Sequence, residues 1–219
     1  MTKLTTLSLS VLIAALGLSA CGTSDPPGGG ATDAGVATDA GAGTGDAGEG
    51  VDGGGLSCSY PPAPYGTRVG ANLEPFTLPQ CDGTPYSFVN EEFCAARFTV
   101  ISIAAGWCMP CRYESQNLTE QVTSVYGPRG VRVIQVLVQD DDYRAANGAF
   151  CDAWVARYNL TQNIELIDAD GTTQIYFPGG SLPSTIIVDS HGTIVWRENG
   201  VVMWLGTLKA KLDMLLAGP

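Results

Sequence analysis

Residues 98–105, Phe-Thr-Val-Ile-Ser-Ile-Ala-Ala, form an apolar, β-branched run with no charge in it. Such a run fits a central strand buried on both faces of a sheet. It leads directly into Gly106-Trp107-Cys108-Met109-Pro110-Cys111. Beyond that motif the pattern turns helical, with Leu118, Val122 and Val125 at i, i+4 and i+7 over 109–126. Two cysteines therefore sit where a buried strand hands over to a helix, and any fold for this chain must place them there.

The neighbouring patterns extend this unit. Residues 131–138 read as a second buried strand and 164–167 as a shorter one. Between them, Asp140, Asp141 and Asp142 offer N-caps for a helix over 143–158. A helical segment is expected at 171–177. A hairpin follows, 185–188 and 194–196 around Ser190-His191-Gly192, and then a last helix over 202–216 with Val202, Leu205, Leu208, Leu212 and Leu215 on one face. Upstream, 76–78 and 86–88 flank an Asp82-Gly83-Thr84 turn and predict a small β-hairpin, with a helical turn at 90–95. The order gives an α/β fold: a central mixed β-sheet with helices on both faces and an N-terminal β-hairpin extension.

Not all 219 residues belong to that domain. Residues 1–20 read as an export signal: Lys3, a mostly apolar stretch from Leu4 to Leu18, then Ser19 and Ala20. The stretch is short and interrupted for a membrane span. Leu18-Ser19-Ala20-Cys21 resembles the bacterial lipobox, which implies a lipid on Cys21. Residues 22–55 are rich in Gly, Ala, Asp and Thr and lack aromatic residues, Lys and Arg. Such a segment cannot bury enough apolar surface to offset its ordering entropy, and it reads as a tether of roughly 30–35 Å average reach. Residues 56–219 remain as one domain of ordinary size. The chain's net charge is −11, with six acids in the tether and an excess of acids in the domain. That balance excludes nucleic acid as an expected partner.

The chemistry rests on Cys108 and Cys111. A cysteine at a helix N-terminus meets free N–H groups and the positive end of the helix dipole, which favour its thiolate, the nucleophile of disulfide exchange. Cys111, one turn in, can resolve a mixed disulfide. Pro110 is tolerated in the first turn, where no N–H is needed. With Trp107, and with Ser181-Leu182-Pro183-Ser184-Thr185 before a strand some 70 residues later, the domain resembles the thioredoxin superfamily. Within it the chain resembles the TlpA/ResA-like, membrane-tethered thiol–disulfide oxidoreductases. The resemblance covers residues 73–219. It implies a thioredoxin-like fold, a cis Pro183, and substrate binding by Trp107 and the Leu182 backbone. It also implies that Glu114 stands near the thiols and relays the proton of Cys111. On the helix pattern alone, Glu114 is equally a solvent-facing acid. The departures are Ser102, where thioredoxin has a buried aspartate, Ile103-Ala104-Ala105 in place of Phe-Trp-Ala, and Leu182 before the proline.

The expected partners are thiols and disulfides of exported proteins and an upstream redox donor, on the extracytoplasmic side of a membrane. No cofactor is expected. Neither is a metal, since one Cys-x-x-Cys and the one histidine do not make a four-ligand site. Cys58, Cys81, Cys94 and Cys151 read as structural disulfides, with Cys81–Cys94 favoured because they flank the hairpin, leaving Cys58–Cys151. Two other functions fit the same domain. A peroxidase would want a Thr-x-x-Cys site with an arginine, which Trp-Cys-x-x-Cys does not supply. A binding module would keep Cys108–Cys111 inert. The N-terminus gives the first testable outcome. The mature protein should partition with membranes, to the outer one if the host has it because Gly22 follows the cysteine, and Cys21→Ser should release it. Mass spectrometry finding an unmodified N-terminus would refute the lipid anchor.

Overall fold

Strand β3 (Phe98–Ala105) occupies the centre of a five-stranded sheet, as its composition requires. Every residue of it after Phe98 is buried. The computed structural model describes residues 59–89, 93–200 and 205–218. The signal, the tether, Cys21, Cys58, Val202 and the 90–92 portion of the expected helical turn lie outside them.

The sheet order is β5-β4-β3-β6-β7, with β4 (Val131–Gln139), β5 (Ile164–Ile167), β6 (Ser184–Asp189) and β7 (Ile194–Asn199). β3, β4 and β5 run parallel, while β6 is antiparallel to β3 and β7 antiparallel to β6. Ile101 pairs with Ile134 on one side and Ile186 on the other. All three are buried, so the middle of the sheet is an apolar slab. A separate antiparallel pair, β1 (Thr77–Pro79) and β2 (Pro85–Ser87), forms the expected N-terminal hairpin. Its turn is held by Asp82, whose Oδ1 accepts from the Thr84 N–H and hydroxyl at 2.9 and 2.6 Å. Phe76, Phe88, Phe93 and Tyr60 pack ring against ring behind it.

Helix α1 (Met109–Leu118) passes through a π-helical turn, Thr119–Thr123, into α2 (Ser124–Tyr126). Gly130, at φ 90°, closes the run. Helix α3 (Gly148–Tyr158) begins later than expected. Asp140 does not cap a helix: its Oδ1 accepts the N–H groups of Asp142 and Arg144 at 2.8 and 2.9 Å, which builds a turn with Tyr143 at φ 63°. Asn147 is the cap, its Oδ1 accepting from the Phe150 N–H at 3.0 Å. In 171–177 only a single 3-10 turn, Gln174–Tyr176, forms. Helix α4 (Gly206–Ala217) buries Leu208, Leu212 and Leu216, with Leu215 half-buried.

The disulfide pairing is corrected. Cys81 bonds to Cys151, Cα to Cα 5.2 Å, so neither Cys81–Cys94 nor Cys58–Cys151 forms. Cys94 is itself disulfide-bonded. Nearness in sequence misleads here because the hairpin turn docks elsewhere. Gln80 bridges Leu166 of β5, which carries Cys81 to the first turn of α3. The approach is close: a Cβ on Gly148 would lie 2.6 Å from the Cys81 carbonyl oxygen. Gly148→Ala should therefore destabilise the fold by about 1–3 kcal/mol, read as a lowered urea midpoint. An unchanged midpoint would show that the hairpin yields freely.

Candidate redox site

β3 delivers Cys108 to the N-terminus of α1, where it is the N-cap. Its Sγ accepts the Cys111 N–H at 3.2 Å, a sulfur in the place usually taken by a hydroxyl or carboxylate. The two cysteines form a disulfide with Cα atoms 5.2 Å apart. Cys108 is 3% exposed and Cys111 not at all. Cys108 is thus the more accessible of the two.

Glu114 does not face solvent. It is buried, and its Oε1 accepts the Ser102 hydroxyl at 2.6 Å, with the Thr185 hydroxyl at 3.4 Å. Burial pushes its carboxyl up to about 7, against the lowering effect of those two hydrogen bonds and with a further upward push from Glu198. An acid poised there can exchange a proton near neutral pH. Sequence reasoning did not find the partners of Glu114. They belong to a row in register across all five strands. Glu165 on β5 pairs with Gln135 on β4, Gln135 with Ser102 on β3, Ser102 with Thr185 on β6, and Thr185 with Glu198 on β7. Gln135 exchanges hydrogen bonds with Ser115 of α1 at 3.0 and 2.9 Å and accepts from the Trp154 indole of α3 at 2.8 Å. The signal in the sequence is a polar residue within each strand, and nothing in the pattern separates Ser102, Gln135, Thr185 and Glu198 from the other polar residues of their strands.

The Leu182–Pro183 bond is cis, as expected. Leu182 and Trp107 line one cavity of about 310 Å³ with Phe177, Gln139 and Gln174. The Trp107 indole donates to Gln139 Oε1 at 2.9 Å and stacks on the exposed Tyr143, centroids 5.0 Å apart. Arg112 donates to the Gly106 carbonyl and pairs with Asp141 at 3.0 Å. His191 is exposed in the turn between β6 and β7. Among the described residues no cluster of metal-ligating side chains occurs, and no helix is long and apolar enough to cross a membrane.

Comparison with known proteins agrees with this geometry. The Redoxin family model matches residues 68–211. The thiol:disulfide interchange protein DsbE of Escherichia coli K12 is 23% identical over 132 residues, 60% of this chain. The match spans 65% of that relative's length. An uncharacterized conserved protein from Geobacillus kaustophilus superposes with a TM-score of 0.58 at 21% identity, covering 69% of this chain and 84% of that one. A secreted Mycobacterium tuberculosis disulfide oxidoreductase superposes with a TM-score of 0.50 at 21% identity, covering 64% and 95%. The two structures share the fold.

The environment of Glu114 sets a pH dependence. Its folded-state value of about 7 lies above the ordinary 4.5. Between those values the folded chain holds a proton that the unfolded chain has lost. The group's contribution to stability is thus fully present below pH 4.5 and is lost as pH rises through 7, by roughly 3 kcal/mol at most. Glu114→Gln should flatten the decline in urea stability between pH 5 and pH 8. An identical decline in both proteins would show that Glu114 is ionised throughout.

Proposed function

The chain belongs to the Redoxin family, and from that membership we propose that it is a thiol–disulfide oxidoreductase of the TlpA/ResA/DsbE type, working as a reductase on exported proteins. The observation that carries this reading is the Cys108–Cys111 bond at the strand–helix junction, with Cys108 outermost and a buried acid one turn beyond Cys111.

The reaction takes four steps. An upstream donor reduces the pair. The Cys108 thiolate, held by the α1 N-terminus, attacks one sulfur of a substrate disulfide, and the other leaves as a thiolate. Glu114 takes the proton of Cys111. The Cys111 thiolate then attacks Cys108, which re-forms the Cys108–Cys111 bond and releases the second substrate sulfur as a thiolate. The two substrate thiolates take protons from solvent, and Glu114 keeps its proton for the Cys111 thiolate released at the next reduction. The cavity beside Trp107 and Leu182 gives the substrate chain a place to lie. Pro183 shapes the strand entrance beside it.

Export by residues 1–20 and a lipid on Cys21 would place the domain outside the cytoplasm, where its substrates are. The secreted relative from Mycobacterium tuberculosis supports that location.

Trapping tests the assignment. Cys111→Ser should accumulate mixed disulfides with partner proteins, while Cys108→Ser should accumulate few. Pro183→Thr should lengthen the life of such complexes. Alkylation of the reduced protein across pH should modify Cys108 first. Modification of Cys111 first would reverse the roles, and a bond that resists reduction in the folded protein would leave an inert module.

A further inference from the structure

The disulfide that ties the hairpin to α3 is built like the first one. In each pair one cysteine lies about one turn inside a helix with no solvent exposure, Cys111 in α1 and Cys151 in α3. In each the other cysteine is the more accessible, and Cys81 is half-buried and lines an open cavity of about 350 Å³. In each a buried carboxyl group stands close by. The bridge between Gln80 and Leu166 is antiparallel, so it sets the adjoining residues, Cys81 and Glu165, alongside one another. Glu165 lines the same cavity.

Glu165 has no evident purpose in the fold. It is 6% exposed, and neither carboxylate oxygen has a hydrogen-bond partner. The amide nitrogen of neighbouring Asn163 is also unpartnered. A buried polar group left in that state costs stability, and an apolar residue would pack there without the cost. The other titratable groups facing the cavity are Asp82 of the hairpin turn and Asp152 of α3, both exposed; no Lys, Arg or His lines it. Burial raises the Glu165 carboxyl well above its ordinary range, with the Asn163 amide beside it opposing only part of the rise, so its surroundings favour the protonated form.

We propose that Cys81–Cys151 is a second thiol–disulfide exchange site, reduced by a dithiol that enters through this cavity, with Glu165 as the proton donor to Cys151. The first thiol of the dithiol loses its proton to solvent and attacks Cys81 Sγ. The Cys81–Cys151 bond breaks, a mixed disulfide forms at Cys81, and Cys151 leaves as a thiolate. Glu165 gives its proton to that thiolate. The second thiol of the reductant then attacks its own partner sulfur in the mixed disulfide, passing its proton to the Glu165 carboxylate. Cys81 leaves and takes a proton from solvent. Two electrons have moved from the dithiol to the protein, and the hairpin turn is no longer covalently tied to α3.

The experiment uses the full chain carrying Cys108→Ser and Cys111→Ser, so that the outcome is independent of the function proposed for the first site. Dithiothreitol is the probe, and quenched alkylation with mass spectrometry reads each cysteine separately. The expected result is reduction of Cys81 and Cys151 in the folded protein, at a rate that does not change with urea below the unfolding transition. Glu165→Gln should slow it at pH 7 by about tenfold or more, whereas Asp152→Asn should not. With glutathione disulfide, Cys151→Ser should take up glutathione at Cys81, whereas Cys81→Ser should leave Cys151 unmodified. Reduction that tracks global unfolding, or an unchanged rate in Glu165→Gln, overturns the proposal.

Discussion

β3 is hydrogen-bonded along both edges, parallel to β4 and antiparallel to β6, and these two ladders fix what lies beneath the redox pair. The register puts Gln135 on one side of Ser102 and Thr185 on the other. A one-residue slip in either strand would turn its polar side chain to the opposite face. Glu114 comes down from α1 onto this triplet, and its carboxyl group meets the Ser102 hydroxyl. The acid is thus held by a sheet register, not by a loop. The same register fixes Gln135, which binds α1 through Ser115 and α3 through Trp154. The seat of the reactive helix and the placement of its acid are one constraint.

Much of the fold is legible in the sequence because the strands are continuous apolar runs and the motif marks the start of α1. What could not be read depends on groups distant along the chain. Ser102 looks like a departure from the thioredoxin pattern. In the fold it is the partner of Glu114, so the buried carboxyl has moved from the strand to the helix that covers it. The resemblance places Glu114 near the thiols while the helix pattern equally allows a solvent-facing acid, and burial removes the solvent-facing reading. The start of α3 is ambiguous in the sequence because aspartates favour both caps and turns. Here Asp140 closes a turn on Asp142 and Arg144, and Asn147 takes the cap. The Cys81–Cys151 pairing depends on where a three-residue strand docks, and periodicity holds no trace of that.

The polar row has different energetics along its length. At its centre Ser102 and Gln135 are fully buried and hydrogen-bonded. On β7, Glu198 is half-buried and accepts the Thr207 hydroxyl at 3.0 Å. On β5, Glu165 is buried with no partner. A buried polar network stabilises a fold only when its members are satisfied. The central members meet that condition, whereas Glu165 does not. The unmet cost falls beside a disulfide rather than in the middle of the core.

Charge limits what the row can do. Glu198 already raises the Glu114 carboxyl, so ionising one acid makes ionising the next harder. Glu114 and Glu165 are both buried and both shifted upward, with desolvation the leading cause in each case. In each case the surroundings therefore favour the protonated form. A disulfide that opens beside such a group releases a thiolate whose negative charge is also costly in low dielectric, and transfer of the proton removes that charge from the sulfur while placing it on the acid. Glu114 can carry the charge because Ser102 and Thr185 donate to it. Glu165 has only the Asn163 amide beside it, outside hydrogen-bond geometry, but it faces an open cavity, from which water can solvate the carboxylate once it forms. Protein hydroxyls and solvent thus supply the same support to the two acids by different routes.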